Sequence, residues 1–405
     1  MGNKICGFLD NKDRRRCETM INQLTAQFKE RYDTQPEARA FAPGRINLIG
    51  EHTDYNGGYV FPAAIALGTY GVASKRQDKE IHLYSNNFES VGELVFSLED
   101  LSFKTDHDWG NYVKGMIAYL IEDYPDINTG MNILIEGNIP NGASLSSSAS
   151  LEMLSGWLVK SLFDLSVDRL QLIHLGQRVE NQFIGVNSGI MDQFIVGMGA
   201  KDHALLLDTA TLEYHEVPAQ FGDYVISIMN TNKRRSLTES KYNERRAECE
   251  TALEELQHHL DIQSLGELSV ETFEANAHYI TSDTNRRRAR HAVTENQRTK
   301  DAYQALQHDD FTTFGQLLNA SHESLKEDYE VTGQELDTLA ETAQQVEGVL
   351  GARMTGAGFA GCAIALVHKD SIEQLETDVT TAYVERIGYE PSFYHVSIGD
   401  GVKNL

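Results

Sequence analysis

The sequence predicts an α+β protein of two domains, on three observations. Segments of helical and strand-like periodicity mix in both halves, without the strict β-α alternation of a parallel sheet. The 405 residues suffice for two domains of ordinary size, each with an ample core. Apolar residues make up 41% and charged residues 23%, the balance of a soluble globular protein rather than a disordered one.

In chain order, residues 1–16 are polar and end in Arg14-Arg15-Arg16, the pattern of a solvated extension. Positions 17–32 suit an amphipathic helix with Met20, Ile21, Leu24 and Phe28 on one side. The stretch A-P-G-R-I-N-L-I-G-E-H-T-D-Y-N-G-G runs from Ala42 to Gly58. Alternation in its R-I-N-L predicts a short strand with one face buried, and Asn56-Gly57 is a turn signal. Strand-like pieces follow near 59–73, 81–84 and 93–97. Tyr112, Val113, Met116, Tyr119 and Leu120 recur at helical spacing over 111–123, and Met131–Ile135 reads as a strand.

Helices are expected over 148–163, with Leu151, Leu154, Leu158 and Leu162 on one stripe, and over about 168–183. Short strands return at 201–216, and the domain boundary is placed there, giving domains of 17–205 and 206–405. The second half has a strand at 224–229, then a charged helix at 237–260 opened by the capping box Ser236-x-x-Glu239. Polar helices run to about 347, G-C-A-I-A-L-V at 361–367 is strand-like, and 371–387 is the last helix.

The net charge of −25 argues against nucleic acid and anionic membrane as partners. Any anionic ligand therefore needs a locally positive or dipolar pocket. Cys6, Cys17, Cys249 and Cys362 are too widely spaced for a zinc site, and no signal peptide or long apolar run is present. A reducing, cytoplasmic setting is the simplest reading, with a monomer as the working expectation.

Chemistry concentrates in four places. Arg45, Asn47, Glu51, His52, Thr53 and Asp54 fall within ten positions, too many polar groups to bury at a strand-to-turn junction without a ligand or one another. I-E-G-N-I-P-N-G-A-S-L-S-S-S-A-S, from Ile135 to Ser150, leads from a strand through small and hydroxyl residues into a helix. Such a helix start offers orphan N–H donors and about half a positive charge to a phosphate, although a Ser-rich N-cap without ligand has the same look. No G-x-x-x-x-G-K-[ST], H-R-D or D-F-G occurs.

G-I-M-D-Q-F places Asp192 in an apolar setting, where it fits either a catalytic acid or a dipole-complementing one. Glu180 lies beside the apolar stripe of its helix and reads from spacing as a surface acid. M-T-G-A-G-F-A-G-C-A, Met354 to Ala363, contains a formal G-x-G-x-x-G, but a strand rather than a helix follows it. A glycine loop or hairpin fits better there. Tyr242 shares a helix face with Cys249, Leu253, Leu256 and Leu260, which reads as core.

Together these stretches resemble the galactokinases of the GHMP small-molecule kinase superfamily, over roughly residues 20–405. The resemblance implies a two-domain GHMP kinase fold with the active site in the cleft between domains, and ATP-dependent phosphorylation of galactose at C1. By position, Glu51, His52, Thr53, Asp54, Gly189 and Tyr242 would bind the sugar, with Asp192 and Arg45 catalytic. Gly142, Ala143, Ser144, Leu145, Ser146, Ser147 and Ser148 would wrap the ATP phosphates, Ser85 and Trp109 would lie on the nucleoside side, and Ser148 and Glu180 would hold Mg²⁺. Ser144 stands where the family loop usually carries Gly, and a negative φ there would keep the loop. Two alternatives stay open: a non-catalytic sugar and ATP sensor of the same family, and the same chemistry on another sugar. Asp192 is either a true base or a group that orients the hydroxyl.

Overall fold

A computed structural model describes residues 11–140, 142–233 and 238–405. The chain opens with helix α1 (Asn11–Tyr32). It starts six residues before the expected 17, because 11–32 contains neither Gly nor Pro and its Lys and Arg residues are good helix formers. The arginine run therefore lies inside this helix rather than in an extension, with Arg15 and Arg16 exposed. Cys17, Ile21, Leu24 and Phe28 are buried against Phe41, Tyr70, Val72 and Leu134 of the first sheet.

That sheet contains β1 (Ala38–Asn47), β3 (Pro62–Lys75), β4 (Glu80–Ser85), β5 (Leu94–Ser97) and β6 (Met131–Gly137). The two-residue β2 (Tyr59–Val60) precedes β3. β1 is buried on both faces, not one, since Phe41 meets α1 while Ala38, Ala40 and Ala42 face the opposite helical layer. Its register shifts between Pro43 and Gly44, where a bulge accommodates the proline. The helical layer comprises α2 (Gly110–Asp123), α3 (Ser147–Phe163), α4 (Arg169–Arg178) and α5 (Met191–Met198), closing on Val113, Met116, Leu154, Leu158 and Phe194. Strands β7 (His203–Asp208) and β8 (Tyr214–Pro218) pair with β2 in a three-stranded sheet. The boundary expected at 205–206 thus falls inside a strand.

The second half supplies β9 (Tyr224–Asn230), α6 (Thr238–Gln257), α7 (Val270–Asn276), α8 (Asp283–Gln307), α9 (Phe311–Glu327) and α10 (Gly333–Ala343). It ends with β10 (Val349–Thr355), β11 (Cys362–His368), α11 (Ile372–Ile387), β12 (Ser392–His395) and β13 (Lys403–Asn404). Sheet order is β10-β11-β9-β12, and β13 returns to pair with β1 as the edge of the first sheet, β13-β1-β3-β6-β4-β5. The glycine stretch is a β10–β11 hairpin, which excludes the strand-to-helix turn of a dinucleotide fold. The capping box expected at Ser236–Glu239 falls on side chains outside the described residues. Ile46, Leu48, Ile49 and Phe61 pack with Ile228, Ile364, Leu366 and Phe314, so a continuous apolar layer joins the halves and seats the polar turn after β1 against the hairpin.

Candidate active site

A cavity of about 520 Å³ opens where the turn after β1, the 142–148 loop, the 180–192 segment, α6 and the β10–β11 hairpin meet. Arg45, near the end of β1, is 4% exposed. Its Nε and Nη2 donate to the two oxygens of Asp192 at 2.8 and 2.9 Å, and its Nη1 donates to the Ser144 carbonyl at 2.6 Å. One guanidinium thus ties the polar turn, the serine loop and α5 together. Asp192 lies in the first turn of α5, where a helix end favours negative charge. Ser146 donates a further short hydrogen bond to Asp192 Oδ2. That oxygen then holds two donors, whereas Oδ1 accepts from Arg45 Nε and has lone-pair capacity for a ligand hydroxyl.

Asp54 accepts from the Met191 N–H at 3.4 Å and its own neighbour Tyr55 N–H at 3.1 Å. Burial, followed by the nearby Asp192 charge, pushes its carboxyl up to about 7. A Cβ on Gly189 would lie 1.9 Å from Asp54 Oδ2, so only glycine lets the two segments close. Glu51 is 1% exposed, and its Oε1 accepts from Gly356 N–H at 2.8 Å and Arg353 Nη1 at 3.3 Å. Burial still raises its pKa, against the pull of Arg353 and Arg45. Burial holds His52 down at about 3, so it is neutral, and its ring lies 5.4 Å from that of Tyr242. Tyr242 is half-buried and lines the cavity, where spacing alone suggested core.

The loop 142–148 delivers its residues to the cavity except Ala143, which is 1% exposed in the apolar layer. Ser144 contradicts the negative φ expected of it: its φ is +57°, and that of Ser146 is +60°. The left-handed turn is what presents the Ser144 carbonyl to Arg45, and the hairpin glycines make room for it. A Cβ on Gly361 would meet Ser144 Oγ at 2.1 Å. Ser147 and Ser148 then open α3 with its N-terminal N–H groups toward the cavity.

Glu180 is 7% exposed, not a surface acid. The helix expected over 168–183 stays α-helical only to Arg178, then widens to a π turn over Val179–Ile184 that packs against α2. Such turns recur at functional sites. Burial, reinforced by the Asp192 charge, raises the Glu180 pKa against hydrogen bonds from the Ser188 and Ser148 hydroxyls and the Gln193 amide.

Fourteen predicted residues line the cavity: Arg45, Glu51, His52, Asp54, Gly142, Ser144 to Ser148, Glu180, Gly189, Asp192 and Tyr242. Thr53, Ser85 and Trp109 do not. Thr53 is fully buried and its hydroxyl is spent on the Gly50 and Tyr59 carbonyls. Ser85 caps the short helical turn after β4 by accepting from Asn87 N–H, and Trp109 stacks on Phe88 with centroids 5.6 Å apart. Sequence reasoning missed Ser188, Tyr112 and Ala357. Ser188 stands between Glu180 and Asp192 and was legible only as a hydroxyl flanking both acids.

Outside the cavity, among the described residues, His322, Asp337 and Glu341 bring ligand atoms within 4.8 Å of one another. His322 Nδ1 accepts the Met354 N–H at 3.3 Å, so its Nε2 carries the proton, and Glu341 is bound to Lys326 at 2.6 Å. That chemistry suits a His–Asp contact, not a metal.

Comparison with known proteins gives a concordant result. The galactokinase galactose-binding signature matches residues 26–75, the GHMP kinases N terminal domain 111–200 and the GHMP kinases C terminal domain 302–385. A galactokinase of Staphylococcus carnosus is 71% identical over 95% of this chain and 100% of its own length. One of Ligilactobacillus salivarius is 59% identical over 94% and 99%. The crystal structure of Lactococcus lactis galactokinase with galactose superposes with a TM-score of 0.93 at 56% identity, covering 95% of this chain and 100% of that one. A mevalonate kinase at 19% identity shares the fold, with a TM-score of 0.60. With the two-domain GHMP architecture and near-full-length identity of this order, the chain belongs to the galactokinase family.

Proposed function

We propose that this protein transfers the γ-phosphoryl group of ATP to the C1 hydroxyl of D-galactose, giving galactose 1-phosphate and ADP. The observation that carries this reading is the bidentate Arg45–Asp192 pair, set where the sugar-side turn meets the serine loop. A sensor has no need of it, whereas phosphoryl transfer needs an oriented hydroxyl and positive charge beside the transferring group. Asp192 Oδ1 accepts the C1 hydroxyl proton and orients its oxygen toward the phosphate. Arg45, fixed by three hydrogen bonds, stabilises the charge that develops, and the N-terminal N–H groups of α3 hold the phosphates. Glu51, Asp54 and His52 select the sugar by directional hydrogen bonds, and Tyr242 closes one side.

Ser148 and Glu180 offer a hydroxyl and a buried carboxylate whose pKa burial and the Asp192 charge raise, a donor set that fits a hard divalent ion. When bound there, Mg²⁺ supplies charge neutralisation to the β- and γ-phosphates. No described helix is long and apolar enough to cross a membrane. The buried thiols of Cys17, Cys249 and Cys362 support a reducing cytoplasmic setting, and the charge of −25 supports a monomer. A coupled assay of ADP release tests the activity with galactose, N-acetylgalactosamine and arabinose offered in parallel. Turnover with galactose is expected to exceed that with the others. ADP release with arabinose but none with galactose would overturn the substrate.

A further inference from the structure

We propose that Cys249, Tyr329 and Tyr55 form a buried one-way hydrogen-bond chain that fixes His52 as a donor toward a sugar oxygen. This makes Tyr55 and Tyr329 positioning residues for sugar recognition. The inference rests on the sugar-kinase reading for its ligand but not for its chemistry.

Four contacts lie end to end. Cys249 Sγ is 3.2 Å from Tyr329 OH, which is 2.7 Å from Tyr55 OH. Tyr55 OH is 2.7 Å from His52 Nδ1, and His52 Nε2 is 3.2 Å from the Ala357 carbonyl. Cys249, Tyr329 and His52 are 1%, 0% and 4% exposed, and Tyr55 between them is half-buried.

The polarity follows from one end. A carbonyl only accepts, so the proton of neutral His52 sits on Nε2 and Nδ1 is a lone pair. Tyr55 must then give its single proton to Nδ1, and its oxygen accepts that of Tyr329. Tyr329 in turn is left to accept the Cys249 S–H. The 3.2 Å bond to Ala357 is long, which leaves the Nε2–H free to be shared with a sugar oxygen entering the cavity that His52 lines. Glu51 and Asp54 beside it contribute acceptors. The subsite is therefore a donor set between acceptors, and an analogue with a hydroxyl turned away leaves that donor unpaired. Because Ala357 belongs to the β10–β11 hairpin, the same chain also ties the sugar turn to the second half of the protein.

The first test is ¹⁵N NMR of histidine-labelled protein at neutral pH without ligands. A pyridine-like Nδ1 and a protonated Nε2 at His52 are expected, and an Nδ1–H tautomer or an imidazolium would overturn the chain. The second is steady-state kinetics of Tyr55→Phe, Tyr329→Phe and Cys249→Ser. Tyr55→Phe should raise KM for galactose about tenfold, the cost of one lost hydrogen bond to a buried group, with kcat and KM for ATP within about twofold. Tyr329→Phe should move KM the same way by less, and Cys249→Ser, which keeps a donor, by less again. An unchanged KM in folded Tyr55→Phe, or a loss confined to kcat, would overturn the positioning role. If Tyr55→Phe does not fold, Tyr329→Phe and the wild-type tautomer decide. Absence of galactose turnover in the wild type would sink the substrate reading and leave the tautomer to settle the chain.

Discussion

Two buried acids show what separates architecture from chemistry in this fold. Glu295, on α8, is fully buried; its Oε1 accepts from Gly50 N–H at 3.0 Å and Ser321 Oγ at 2.5 Å, and its Oε2 from Arg298 at 2.8 Å. Burial pushes its pKa up, but Arg298 and Arg353 outweigh that and hold it at about 2. Glu180 is nearly as buried, and there burial, reinforced by the Asp192 charge, outweighs the hydrogen bonds of Ser188, Ser148 and Gln193 and raises its pKa. Both are desolvated carboxylates. One has its cations built in and anchors the turn before the sugar site, whereas the other carries a raised pKa that the proposed divalent ion would offset. Burial marks neither; compensation does.

The largest expected effect lies on the chemical side of this contrast. Asp192→Ala should lower kcat by about 10²–10⁴, the usual worth of a positioned base, while calorimetry still detects galactose binding. Unchanged kcat would remove Asp192 from the mechanism. Next comes the architectural side. Arg353 is fully buried and donates to the Asn47 and Leu48 carbonyls, Glu51 and Ser321. Arg353→Met leaves Glu51 without its strongest cation and should cost about 3–5 kcal/mol by urea unfolding, the cost of an unpaired buried charge. A loss below about 1 kcal/mol would show the pair to be dispensable.

The direct comparison is Glu295→Gln against Glu180→Gln, with opposite signs expected. Glu295→Gln should destabilise by about 1–3 kcal/mol, since Arg298 loses its partner. Glu180→Gln removes a charge that burial opposes and should leave stability equal or higher by up to about 1 kcal/mol, while raising the Mg²⁺ concentration needed for half-maximal activity. Equal destabilisation by both would break the distinction.

pH sharpens it further. Glu295 is depressed from 4.5 to about 2, so its contribution is present above 4.5 and lost as pH falls toward 2. Asp54 is raised from 3.8 to about 7, so the folded state binds the extra proton between those values and stability falls as pH rises through them. In the proposed role of Asp54 as a sugar acceptor, kcat/KM with galactose requires its ionised form. The profile should rise about tenfold per unit below pH 7 and level off above it. Asp54→Asn should lose that limb; a limb that survives belongs to another group.

Much of this was legible in the sequence, for identifiable reasons. Strand and helix positions followed from apolar periodicity, which burial enforces locally. Glu51, His52, Asp54 and the serine loop were visible because their polarity is dense along the chain. The early start of α1 and the positive φ of Ser144 are local misses, whereas those at Glu180, Tyr242 and Thr53 are matters of packing across the chain. Glu180 reads as exposed until the helix widens at Val179, and Tyr242 reads as core until α6 is laid beside the cavity. Thr53 is polar and adjacent to the site, but its hydroxyl is consumed by two carbonyls of the turn. Asn47, to which the sequence assigns no chemistry and at most the shaping of strand and turn, accepts from Phe61 N–H at 3.2 Å. Spacing specifies faces of elements; it does not say which face meets which neighbour.

The smallest effect is expected at Ser144, and it tests whether the loop geometry or the hydroxyl matters. A left-handed φ of +57° at a non-glycine residue costs about 1–2 kcal/mol, and glycine would remove that strain while adding about 0.5–1 kcal/mol of unfolded-chain entropy. The Arg45 bond uses the Ser144 carbonyl, which glycine keeps. Ser144→Gly should therefore stabilise by up to about 1 kcal/mol, read as a higher urea midpoint at constant m, with kcat within about twofold. Gly361→Ala, by contrast, adds a Cβ at 2.1 Å from Ser144 Oγ on a residue with φ of +89°, and should lower both stability and kcat. In the double variant the clash with the side chain is gone but the backbone strain at 361 remains, so recovery should be partial. Full recovery would locate the whole cost in the side-chain contact, and a tenfold fall in kcat for Ser144→Gly alone would assign the hydroxyl itself to the phosphate.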